Sequence, residues 1–132
     1  MFQFKGFTEK ANKALNLAVE SAENLGHDYI GSEHVMLGLI KEGSGVAHTV
    51  LSKLGVTAED YEKLLRERIG YGEKTSLTPE SLTPRTKQIL QVAAMAGARF
   101  NSAYVGTEHI LIALLQDESC YACLLYTSDA AD

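Results

Sequence analysis

A chain of 132 residues, 45% hydrophobic and 22% charged with only two prolines, has the composition of one folded domain large enough to bury its own core. A net charge of −5 and the absence of any dense Lys/Arg run disfavour nucleic acid as a partner. The apolar stretches 35–40 and 110–115 fall far short of the ~20 residues a membrane span needs, and the start Met1-Phe-Gln-Phe-Lys5 lacks a signal-peptide core; no membrane association and a cytoplasmic location are expected.

Thr8 occupies an N-cap position, and Ala11, Ala14, Leu15, Ala18, Ala22 and Leu25 follow at three- and four-residue steps, which predicts an amphipathic helix over 9–25. Gly31 leads to Ser32, read as a second N-cap, before a helix apolar on most faces and therefore expected at a buried centre. Gly43 and Gly45 break it. Residues 46–54 form a third helix ended by Gly55, and Thr57-Ala-Glu-Asp60 opens a fourth that Gly70 stops. The stretch 71–81, holding Gly72, Thr75, Ser76, Thr78 and Pro79, has no helical period and reads as a linker.

The chain then repeats itself. Tyr29-Ile-Gly-Ser-Glu-His-Val-Met-Leu-Gly-Leu-Ile40 returns without a gap as Tyr104-Val-Gly-Thr-Glu-His-Ile-Leu-Ile-Ala-Leu-Leu115, an offset of 75 residues from Gly31 to Gly106. The same offset lays Phe7-Thr8 on Leu82-Thr83, Lys10 on Arg85 and Ala18 on Ala93. The expected fold is all-α, with duplicated helical units at 1–70 and 82–122; in the second, Thr83 is an N-cap, Pro84 sits at N1 and Thr107 caps the next helix. Past Cys120 the counterparts of helices three and four are missing, so the second unit reads as incomplete and less stable, and 123–132 as a non-native tail resembling adapter read-through.

Several residues invite chemistry. Cys120 and Cys123 form a lone C-x-x-C without the second pair a zinc site requires, and read as plain thiols. His34 and His109 follow Glu33 and Glu108, but Gly38 and Ala113 stand where a helical zinc motif needs its second histidine, so both imidazoles are assigned to hydrogen bonds inside their units. Glu33 and Glu108, in first turns, favour the helix dipole and are expected to face solvent, where they stabilise the helix or hold a ligand. Thr8 and Thr83 either cap their helices or share those N-termini with an anion. Lys41, Glu42, Gln116 and Asp117 read as a solvated face. No G-x-x-x-x-G-K-[ST] loop occurs, so no ATP hydrolysis, cofactor or metal is expected.

Residues 26–47, Gly-His-Asp-Tyr-Ile-Gly-Ser-Glu-His-Val-Met-Leu-Gly-Leu-Ile-Lys-Glu-Gly-Ser-Gly-Val-Ala, closely resemble the Clp repeat domain of ClpC-type unfoldases, and the likeness runs from about Phe4 to Ala122, including the Thr83-Pro-Arg85 start of repeat two. The resemblance implies two pseudo-twofold-related four-helix repeats. It implies a domain that captures substrates or adaptors for ATPase rings of the same parent chain, which feed the Clp peptidase in protein unfolding, proteolysis and stress response. It further implies one phosphoarginine pocket per repeat, Thr8 with Glu33 and Thr83 with Glu108, the phosphate meeting hydroxyl and helix N-terminus while the guanidinium edge meets the carboxylate. The alternative is a free-standing Clp-repeat regulator or adaptor without a motor.

Overall fold

A computed structural model describes residues 1–116. Thr8 Oγ1 accepts the Ala11 N–H at 3.1 Å and starts α1 (Glu9–Asn24), and the whole anticipated stripe from Ala11 to Leu25 is buried. After α2 (Ser32–Glu42) and α3 (Val46–Lys53), the Thr57 hydroxyl takes the Asp60 N–H to start α4 (Ala58–Arg68). Thr83 does the same for Thr86 at the head of α5 (Pro84–Arg99), and α6 (Thr107–Gln116) follows. No strand forms among the described residues, and the all-α expectation holds.

One sequence assignment is corrected at α2. Ser32 lies inside the helix, the N-cap is Gly31, and Thr107 is likewise already helical. The reason is His34, which sits three residues beyond the cap and accepts the Gly31 N–H on Nδ1 at 2.9 Å, as a Glu or Gln would in a capping box. His109 accepts the Gly106 N–H at the same 2.9 Å. At both caps the glutamate two residues on folds back over the glycine: a Cβ would lie 2.2 Å from Glu33 Oε1 at Gly31 and 2.3 Å from Glu108 Oε1 at Gly106, so a larger residue there would displace the carboxylate.

The buried centre is α2, with residues 35–40 all inaccessible and α1, α3, α4 and α6 packed around it. It crosses α1 so closely that a Cβ on Gly38 would stand 2.2 Å from the Ala14 carbonyl oxygen. The α5–α6 pair repeats the α1–α2 pair, and one continuous apolar core joins both units, from Leu15 and Leu37 through Leu77 to Ile110 and Leu114. Leu115, however, is 57% exposed where its counterpart Ile40 is 3% exposed.

The connection 71–81 is tied down along its length, although its sequence shows only a loop. Gly72 N–H donates to Leu25 O at 2.8 Å, Leu77 N–H to the Glu23 carboxylate at 2.8 Å, and Pro79–Ser81 makes a 3-10 turn capped by Thr78. The N-terminal segment is held the same way: Asn16 and Asn12 each accept and donate backbone hydrogen bonds at Phe2 and Phe4. Asp117, Cys120, Cys123, the end of the second unit and the tail 123–132 lie outside the described residues.

Candidate functional site

Two short backbone ladders bring the helix starts together. Thr8 N–H donates to Val105 O at 2.9 Å and Val105 N–H to Gly6 O at 2.8 Å; in the mirror position Thr83 N–H donates to Ile30 O at 3.1 Å and Ile30 N–H to Ser81 O at 2.9 Å. Adding the 75-residue offset turns one ladder into the other with the units exchanged, which is a pseudo-twofold relation. The start of α1 therefore adjoins the start of α6, and the start of α5 adjoins that of α2. Thr8 is brought to Glu108 and Thr83 to the Glu33 segment, which corrects the expectation of pairing within each repeat.

Thr8, Lys10, Ser44, Gly45, Thr107 and Glu108 line an open cavity of ≈ 610 Å³, with Val46 and Val50 on its apolar side. Three helix N-termini converge there: α1 at Thr8, α3 at Gly45 and α6 at Thr107, where the hydroxyl also takes the Ala47 N–H at 3.3 Å. Their summed dipoles and the Lys10 ammonium, 3.3 Å from Ser44 O, suit the cavity to an anion, while Glu108, in the first turn of α6, adds a carboxylate to the same lining. Glu42, expected on a solvated face, is instead buried and accepts the Ser44 and Gly45 N–H groups. Burial pushes its carboxyl up, but the hydrogen bonds from Ser44 and Gly45 outweigh that and hold it below its ordinary value. Its neighbour Lys41 pairs with Glu62 at 3.2 Å in a partly exposed contact worth little.

Glu33 departs further from expectation. It is 3% exposed and does not face solvent; Tyr29 O–H donates to its Oε2 at 3.0 Å. Burial raises its pKa, partly offset by a backbone hydrogen bond and by the hydrogen bond from Tyr29. His34, fully buried, is pulled down to about 3 by burial and then by His27. Both histidines of the Glu-His pairs thus do what the sequence assigned, accepting a cap N–H inside their own units. Sequence reasoning missed His27, which is buried with Nδ1 2.7 Å from His34 Nε2. Its only sequence signal is that the repeat places Ser102 at the equivalent position. Among the described residues no three His, Cys, Asp or Glu side chains gather as a metal site.

The profile of the Clp repeat (R) N-terminal domain family matches residues 6–127. The chain belongs to that family. This Clp repeat domain is 42% identical over 114 residues to the negative regulator of genetic competence ClpC/MecB of Bacillus subtilis (strain 168), covering 86% of this chain and 14% of that one. It is 36% identical over 129 residues to the chloroplastic chaperone protein ClpC1 of Oryza sativa subsp. japonica, covering 98% of this chain and 14% of the relative. It thus spans about one seventh of these curated relatives. Its fold matches the N-terminal domain of ClpD from Arabidopsis thaliana with a TM-score of 0.74 at 23% identity, over 96% of this chain and 88% of that one. The Hsp104 N-terminal domain from Candida albicans matches at 0.69 and 22% identity, over 94% and 81%.

Proposed function

We propose that this Clp repeat domain is the substrate- and adaptor-recognition module of a ClpC-type ATP-dependent unfoldase, and that it binds arginine-phosphorylated proteins through two sites split between the repeats. The observation that carries this reading is the cavity that Thr8, three helix N-termini and Lys10 line together with Glu108. A phosphoguanidinium has an anionic end for the dipoles and a planar N–H edge for the carboxylate, so one ligand satisfies both halves. A plain phosphate would meet the same carboxylate as a repulsion, which is how the site would reject phosphoserine. Captured proteins would pass to the ATPase rings of the parent chain and so to the Clp peptidase. Relatives about seven times longer support a motor-bearing parent over a free-standing regulator. The compartment in this reading is the cytoplasm, although the rice relative is chloroplastic by name.

Calorimetric titration with free phosphoarginine tests it. The intact domain takes up two equivalents; Glu33→Ala and Glu108→Ala each remove one, at a cost of about 1.5–3 kcal/mol as lost charged hydrogen bonds. Because the sites cross the repeats, Thr8→Ala and Glu108→Ala should be non-additive while Thr8→Ala and Glu33→Ala add. Equal binding by the double glutamate variant, or none by the wild type, defeats the proposal.

A further inference from the structure

The Glu33 side of the molecule contains a hydrogen-bonded chain that the Glu108 side lacks. Gly31 N–H can only donate, so His34 Nδ1, 2.9 Å away, accepts, and the His34 proton sits on Nε2. That proton points at His27 Nδ1 across 2.7 Å, which leaves His27 protonated on Nε2, where it donates to Gly70 O at 2.9 Å. The direction of every bond is forced from its two ends. The chain closes only with both rings neutral and both in the Nε2–H tautomer. A proton arriving at His27 Nδ1 sets two N–H groups face to face across the 2.7 Å joint and breaks it.

What the chain holds is the Glu33 site. Its inner end is Gly31, over which the Glu33 carboxylate folds, next to Ile30, whose carbonyl receives the Thr83 N–H. Its outer end is Gly70, where the connection to Thr83 begins. The His27 ring also stacks on Tyr29 with centroids 5.6 Å apart and 7° between planes, and Tyr29 in turn holds Glu33. Among the groups facing His27, Glu33 and His34 come from α2, Tyr29 from the loop and the Gly70 carbonyl from beyond α4, and the Thr75 hydroxyl bonds the His27 carbonyl at 2.6 Å. The nearby α1 carboxylate of Glu23 is engaged by Leu77 N–H, and Asp28 points to solvent. In repeat two His109 keeps its bond to Gly106 N–H, but Ser102 replaces the second imidazole and Phe100 stacks beside His109 at 6.2 Å.

We propose that His27 and His34 are positioning residues of the Glu33 site, so that its affinity for ligand falls as the His27–His34 chain takes up a proton, while the Glu108 site has no such gate. The ligand half of this inference rests on the phosphoarginine reading above. The test titrates phosphoarginine into the Glu108→Ala variant, which reports the Glu33 site alone, between about pH 7.5 and 5.5, a range that spans ordinary imidazole titration. Affinity should drop about tenfold on acidification, and His27→Leu should lose about tenfold already at the upper pH, as one severed hydrogen-bonded link. His27→Gln, whose amide can accept from His34 and donate to Gly70 without titrating, should restore affinity and flatten the profile. If the acid drop persists in His27→Gln, protonation of Glu33 itself is the cause and the gate is refuted. Imidazole ¹⁵N NMR on the ligand-free wild type tests the chain independently: both rings as Nε2–H tautomers, with coupling across the His34–His27 bond, support it, and any other tautomer overturns it. Absence of phosphoarginine binding with that NMR signature present condemns the ligand reading and leaves the chain standing.

Discussion

Gly38→Ala lowers the stability of the domain by about 3 kcal/mol, at the upper end of the usual cost of overpacking. The added methyl would lie 2.2 Å from the Ala14 carbonyl oxygen and 2.9 Å from the Ala18 nitrogen. Both are backbone atoms of a helix, so relief requires moving α1 away from α2 and loosening every layer of the central packing. At roughly 4 °C per kcal/mol for a chain of this size, the melting midpoint should fall by about 12 °C. The second unit carries Ala113 at the equivalent position, buried at 2%, so its helix pair already accommodates this methyl. Ala113→Gly should therefore cost only about 1 kcal/mol of helix propensity plus a small void. Scanning calorimetry of the two variants decides; a Gly38→Ala loss below about 1 kcal/mol would contradict the close crossing.

Acidification supplies the second large effect. The folded-state pKa of His34 lies at about 3, well below its ordinary 6.5, so the protein binds this proton more weakly folded than unfolded. The stability involved is fully present above pH 6.5 and is lost as pH falls from there towards 3, on the order of 5 kcal/mol in all. Glu33 acts with the opposite sign: its raised pKa makes the ionised form costly, so its protonation returns some stability on the way down. His34→Gln isolates the histidine, because glutamine at this position can still accept the Gly31 N–H and does not titrate. Urea unfolding from pH 7 to 3.5 should show the wild type losing at least about 2 kcal/mol more than His34→Gln. Parallel curves would mean that the imidazole remains hydrated.

The helices were legible because their signals are local. Thr8, Thr57 and Thr83 cap as read, and the Ala11-to-Leu25 spacing buries as read, since periodicity and capping depend on neighbours a few residues away. The duplication also declared itself, but two equivalent copies cannot reveal whether Thr8 meets the glutamate of its own copy or of the other; only the twofold ladder through Val105 settles that. Glu33 and Glu42 were misplaced on the surface because charged side chains usually stay in water, and the partners that allow their burial, Tyr29 for one and the Ser44–Gly45 backbone for the other, are conformational facts. The Ser32 assignment failed for a similar reason: a histidine doing the work of a capping glutamate leaves no familiar pattern.

The crossed ladders also bind the energetics of recognition to the energetics of assembly. With Thr8 and Glu108 on different repeats, any molecule that bridges them acts as a clasp, and mass action then favours the docked arrangement by RT ln(1 + [L]/Kd), about 2.7 kcal/mol at a hundredfold excess over Kd. Two such clasps on opposite sides of the pseudo-twofold axis would oppose the parting of the repeats. By reciprocity, a strain that prises the repeats apart would eject whatever the clasps hold.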